Sequence, residues 1–346
     1  MQNQHHKQPL IIPLQPSLEK QNDWKAELAA SIYSVSELFE ILELDDPELL
    51  RQAEAASQLF AFRVNRSYVA KIQKGDPNDP LLRQILPLNA EFRSSPLYSA
   101  DPLGELQSRK VPGVLHKYQG RLLLIATGAC ALHCRYCFRR EYPYAAPGTA
   151  GSQWDRAIEY IEQDPSIHEI ILSGGDPLTL SDKKLAKLCS RISSISHIKR
   201  LRIHSRLPIV LPTRITRELI NAIHSDAHQT IVVTHSNHPN EIDSTVKQRV
   251  GRLKQSNITV LNQSVLLKGI NDHPETLITL SERLFEAGIL PYYLHLLDKV
   301  NGTEHFDIQE SQAIELVNTI KKSLSGYLVP KLVREIQGEP NKITVY

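Results

Sequence analysis

Three of the four cysteines in this 346-residue chain fall in one short run, Cys130-Ala-Leu-His-Cys134-Arg-Tyr-Cys137, while Cys189 stands alone. A C-x3-C-x2-C run brings three thiolates to one turn and leaves a fourth metal position open. Structural zinc is closed by four ligands, usually from two pairs. No second pair is present, although His133 could serve. A [4Fe–4S] cluster held by three cysteines keeps one iron free for an outside ligand, which is the useful state for chemistry. The spacing therefore favours a reactive cluster over zinc. A second motif, Ser173-Gly174-Gly175-Asp176-Pro177, follows an apolar run. Glycines there let backbone approach a ligand closely, or make a tight turn.

The elements that must position these residues can be read from the apolar pattern. Runs of strand length occur at 122–127, 169–173, 200–205, 230–234, 258–266 and 292–297, separated by segments of helical spacing. Trp154, Ala157, Ile158 and Ile161 share one helix face, with Ser152 placed to cap it. Leu185, Leu188, Cys189 and Ile192 share another after Ser181, which makes Cys189 a small core residue. Leu277, Leu280, Leu284 and Phe285 mark a third, opened by Pro274 and closed by Gly288. Six strand-then-helix units imply a parallel sheet with right-handed crossovers, either open and doubly wound or a barrel. In both, sites gather at the C-terminal ends of the strands. Cys130, the Gly174-Gly175-Asp176 turn, Ser205-Arg206, His235 and Asp298 all fall there.

Composition narrows the class. Lys and Arg number 40 against 38 Asp and Glu, a net charge of +2, so no strong global field gathers nucleic acid or an acidic membrane. With 41% hydrophobic and 23% charged residues the chain is ordinary for a folded protein and not a disordered one. Neither a signal peptide nor an apolar run of the ~20 residues needed to span a bilayer is evident, so the cytoplasm is the expected compartment. Residues 1–22 read as a polar tail and 23–105 as a helical N-terminal region.

The cysteine motif after the first strand of a βα repeat, with the glycine pair one unit later, resembles the radical S-adenosylmethionine (SAM) superfamily. Further stretches are similar to lysine 2,3-aminomutases. These include Cys137-Phe-Arg-Arg140, His204-Ser-Arg-Leu-Pro-Ile-Val-Leu-Pro212, Thr234-His-Ser-Asn-His-Pro-Asn-Glu241, Asn262-Gln-Ser-Val-Leu-Leu267, Pro291-Tyr-Tyr-Leu-His-Leu-Leu-Asp298 and Ser325-Gly-Tyr-Leu-Val-Pro330. The resemblance implies an α/β fold: a partial (βα)6 TIM-like radical SAM barrel over 106–326, preceded by the helical region and followed by a pyridoxal 5′-phosphate (PLP) segment at 327–346. It implies that Cys130, Cys134 and Cys137 hold the [4Fe–4S] cluster, and that Gly174, Gly175, Asp176 and Ser205 bind SAM. Lys342 becomes the lysine that holds PLP covalently, with Arg121 and Gln263 on the PLP phosphate. Arg139 becomes the clamp on the substrate carboxylate, and Asp298 and Glu335 the seat of the lysine side-chain ammonium. Glu335 stands where the family has aspartate, and the glycine-rich run before the PLP lysine reads Gln337-Gly-Glu-Pro-Asn341.

The implied reaction is conversion of free L-lysine to (R)-β-lysine by 2,3-amino migration, driven by a reducing electron donor. The length and the short C-terminus look most like the bacterial branch that supplies β-lysine to elongation factor P, which would link the chain to that factor and to its lysine ligase. No nucleic-acid or membrane partner is implied. Two other readings stand beside it. One is a different amino-acid aminomutase, against which two carboxylates argue where the substrate is anionic. The other is a non-enzymatic iron–sulfur or zinc module.

Overall fold

A computed structural model describes residues 23–93, 95–144 and 150–345, so the polar stretch 1–22 lies outside the described residues. The strand-length runs enter one ten-stranded sheet whose strands neighbour one another in chain order. They are β1 (Arg109–Val111), β2 (Val114–Tyr118), β3 (Arg121–Thr127), β4 (Glu169–Gly174), β5 (Arg200–Ser205), β6 (Gln229–His235), β7 (Thr259–Val265), β8 (Leu290–His295), β9 (Lys331–Arg334) and β10 (Ile343–Thr344). From β3 to β9 every pairing is parallel. The flanking β1, β2 and β10 pair antiparallel. Each crossover returns to the adjacent position, which winds the sheet as a TIM barrel is wound. Among the described residues no pairing joins β10 to β1, so the barrel is partial.

The six units expected from the apolar runs are all present, and β9 adds a seventh parallel strand. Its four residues, Lys331-Leu-Val-Arg334, are too short and too charged at the ends to stand out as an apolar run. Strand β4 is buried at every position, as a central parallel strand covered on both faces must be. Helices at Ala150–Glu162, Asp182–Ser193, Arg217–Ile223, Ser244–Gln255, Pro274–Glu286 and Glu310–Ser323 alternate with the strands.

Local chemistry sets the helix ends. Ser181 accepts the amide of Lys184 and caps the helix that buries Leu185, Leu188, Cys189 and Ile192, a contribution of about 1 kcal/mol. The helix expected to start at Ser152 begins at Ala150, which places Ser152 inside its first turn. Phe285 is 45% exposed rather than buried with Leu277, Leu280 and Leu284, and its ring lies tilted against that of Tyr327, centroids 5.4 Å apart. The helical N-terminal region packs on the barrel wall. Lys71 Nζ donates to the carbonyls of Ile209 and Glu241 at 3.2 and 2.8 Å, and the Arg214 guanidinium lies 4.2 Å from the Trp24 ring.

Candidate active site

Every residue singled out from the sequence as a ligand or substrate contact lines one cavity of about 710 Å³, within the ~300–1,000 Å³ typical of ligand sites. The cavity runs along the strands. Arg121 opens β3, and Cys130 lies just past the other end of the same strand.

The cysteine loop is clamped from below by the N-terminal region. Arg135 is fully buried and donates through Nε and Nη2 to Glu91 at 2.8 and 2.5 Å, and through Nη1 to the Phe60 carbonyl at 2.7 Å. Arg140 shares the same carboxylate at 2.7 Å. Arg206, after β5, donates Nη1 to Cys134 Sγ at 2.7 Å. Burial and the neighbouring Cys137 push the Cys130 thiol well up, and burial with Cys134 takes Cys137 up to about 11. Thiols so placed ionise when a metal compensates them. Among the described residues no three His, Cys, Asp or Glu side chains converge on a single metal ion. His133 Nδ1 faces the Ala61 carbonyl at 2.8 Å.

Gly174 and Gly175 are demanded by the backbone itself. Gly174 sits at φ +119°, and a Cβ there would meet the Thr127 carbonyl at 2.4 Å; one on Gly175 would meet the Ala129 carbonyl at 2.4 Å. The amides of Gly175 and Asp176 donate to those same carbonyls at 2.8 and 2.7 Å. The glycine pair thus seats the end of β4 against the chain entering the cysteine loop. Asp176 is buried, and its carboxylate accepts Ser205 Oγ at 2.7 Å and the amides of Leu178, Arg206 and Leu207 at 3.0, 2.8 and 3.1 Å. Asp176 and Ser205 therefore lock the ends of β4 and β5 together at the cavity wall.

Arg139 is buried and paired within the chain. Nε and Nη2 donate to Glu105 at 2.7 Å each, and Nη1 donates to Ser173 Oγ at 2.8 Å. Burial opposes its charge, but Glu105 more than offsets that and holds the guanidinium protonated. A substrate carboxylate at Arg139 would share it with Glu105.

Four charged groups meet further in. Lys342 Nζ donates to Glu335 Oε2 at 2.5 Å and Lys117 Nζ to Oε1 at 3.2 Å. Burial alone would raise Glu335, but the two lysines outweigh it and hold the carboxyl well below its usual range. Asp298 has the opposite fate: burial and the negative charge of Glu335 push it up to about 7, against the pull of Lys342 and Lys117. His204, His235 and His295 add three buried Nε2 atoms without a partner in the protein. Burial keeps all three imidazoles neutral. Unsatisfied buried nitrogens in a cavity suit a polar ligand there. Gln263 lines the same wall from β7, and Arg121 lies 4.6 Å over the Tyr118 ring.

Sequence reasoning missed Gln84, Glu91, Glu105 and Glu241. Each is a buried polar residue whose partner lies far along the chain, so by composition it looks like a surface group. Arg206 carried one signal, its place after Ser205 at a strand end.

Residues 124–280 match the Radical SAM superfamily. Over 320 residues the chain is 48% identical to the L-lysine 2,3-aminomutase of Escherichia coli (strain K12), covering 92% of this chain and 93% of that protein. It is 47% identical over 337 residues to the protein of that name from Haemophilus influenzae, covering 97% and 99%. With that of Buchnera aphidicola the identity is 43% over 323 residues, covering 93% and 95%.

Proposed function

The chain belongs to the lysine 2,3-aminomutase family of radical SAM enzymes, and on that premise we propose that it is an isomerase converting free L-lysine to (R)-β-lysine, which then serves to modify elongation factor P. The observation that carries this reading is the cavity that brings Cys130, Cys134 and Cys137 together with Lys342 and with Asp298.

When bound, the [4Fe–4S] cluster with SAM supplies a radical that takes hydrogen from lysine, and PLP carries the nitrogen between carbons. The protein holds and orients these groups. Cys130, Cys134 and Cys137 would hold the cluster on a loop fixed by Glu91 and Arg206. The turn at Gly174 and Gly175 places backbone beside that loop for SAM. Lys342, on the segment between β9 and β10, would hold PLP, with Arg121 and Gln263 placed for its phosphate, where a guanidinium fork suits a dianion.

Asp298 is the natural seat for the substrate's side-chain ammonium, because Glu335 keeps Lys117 on one oxygen and, whenever Lys342 is free of PLP, Lys342 on the other. Glu335 then acts on the substrate through Lys342 and through the field it imposes on Asp298. A glutamate-like substrate would meet Asp298 and Glu335 as like charges, which argues against an acidic amino acid. Chiral chromatography of the product tests the link to elongation factor P. The (R) enantiomer is expected, and formation of the (S) enantiomer alone would break that link while leaving the aminomutase reading intact.

A further inference from the structure

One contact at the cysteine loop has no part in moving an amino group. Arg206 is 8% exposed, and its Nη1 faces Cys134 Sγ at 2.7 Å. The other arm is fixed, because Nη2 donates to Gln84 Oε1 at 2.7 Å and to Glu241 Oε2 at 3.0 Å. The rings of Tyr68 and Tyr136 lie 5.5 and 5.8 Å from the guanidinium. Asn237 closes the network, donating to Gln84 Oε1 at 3.1 Å and to the Tyr136 hydroxyl at 2.7 Å. The guanidinium is thus oriented by groups from the N-terminal region, the cysteine loop and the end of β6, all aimed at holding one N–H on one sulfur.

We propose that Arg206 is a positioning residue for the electron-transfer step, setting the reduction potential of the cluster held by Cys130, Cys134 and Cys137 through its hydrogen bond to the Cys134 sulfur. The inference rests on the cluster reading of the cysteine loop. Reduction adds one electron to the cluster with no bond made or broken and no proton moved. The added charge falls partly on the thiolate sulfurs, so a buried cation donating to one of them stabilises the reduced state more than the oxidised one. Glu241 is engaged by the far arm and leaves Nη1 to the sulfur.

The test uses the full chain, anaerobically reconstituted with iron and sulfide and kept free of SAM, with dithionite as the electron source. Arg206→Gln alone would strand Glu241 as a buried unpaired charge, so the working variant is Arg206→Gln with Glu241→Gln. At fixed potential its ratio of reduced to oxidised cluster should fall about tenfold, equivalent to ~59 mV for a one-electron couple. An unchanged potential in an iron-loaded double variant overturns the proposal. A second measurement needs no variant to fold: in wild-type protein grown on arginine 15N-labelled in the guanidinium alone, pulsed EPR of the reduced cluster should show a 15N coupling. Absence of that coupling also overturns it. Failure of the wild type to assemble any cluster would instead remove the underlying cluster reading.

Discussion

At the inner end of the cavity Lys342 Nζ donates to Glu335 Oε2 at 2.5 Å. With Lys117 on the other oxygen, Glu335 is held charged by two lysines, and Asp298 is left as the acid with the raised pKa. The two carboxylates that look equivalent in the sequence therefore have different work.

That difference predicts unequal effects of substitution. A charge-assisted hydrogen bond contributes ~1.5–3 kcal/mol, so Asp298→Asn should raise the lysine KM roughly ten- to a hundredfold with cluster and PLP content unchanged. Glu335→Gln should raise it less. Steady-state kinetics with cofactor content measured alongside decide it, and an unchanged KM in fully loaded Asp298→Asn would remove the ammonium seat.

The pKa of Asp298 also fixes a pH dependence. A carboxyl titrating at about 7 in the free cavity is mostly neutral at pH 6 and ionised at pH 8, and only the anion attracts the ammonium. Lysine affinity should rise as pH rises through 7, by up to about tenfold per unit below it. The same shift is a stability statement. Because the folded pKa lies above the ordinary carboxylate value, the folded state binds more protons between about pH 4 and 7, and stability falls across that window as pH rises. Asp298→Asn should flatten the pH profile of KM and raise the melting temperature of the cofactor-free protein at pH 8 but not at pH 4.

At the other end of the cavity, Gly174→Ala and Gly175→Ala should each cost at least ~1–3 kcal/mol, since the added Cβ would meet backbone carbonyls at 2.4 Å. Cluster content should fall with them, because the same carbonyls lead into Cys130. Thermal melts and iron analysis check both, and a Gly175→Ala protein of wild-type stability and iron content would contradict the packing described.

The cysteines divide by position. Alanine at Cys130, Cys134 or Cys137 should abolish the visible cluster absorbance. Cys189→Ala should keep it and lose about 1 kcal/mol, because Cys189 is 4% exposed on a helix face. Loss of the cluster in Cys189→Ala with retention in a motif variant would overturn the assignment.

How much of this could be read from residues alone follows from the range of each interaction. The six strands and the cysteine run are local patterns, carried by consecutive apolar residues and by fixed spacing. Ser181 as a cap is equally local. Glu105 and Arg139 are not: they are 34 positions apart, and neither composition nor periodicity marks Glu105 as buried. Gln84 and Glu241 are 157 apart. The pairing of Lys342 with Glu335 spans only 7 positions, yet it depends on how the chain turns from β9 to β10, a turn with no apolar signal.

The proposed function turns on one cavity coupling the cysteine loop to Lys342 for amino migration in lysine. It is tested most directly by anaerobic incubation with lysine, SAM, PLP and dithionite, with chromatography for β-lysine and with each cofactor omitted in turn. Borohydride trapping of PLP followed by peptide mapping accompanies it. β-Lysine is expected only when all are present, with the pyridoxyl label on Lys342. A fully loaded enzyme that makes no β-lysine, or a label on Lys117 in place of Lys342, would contradict it.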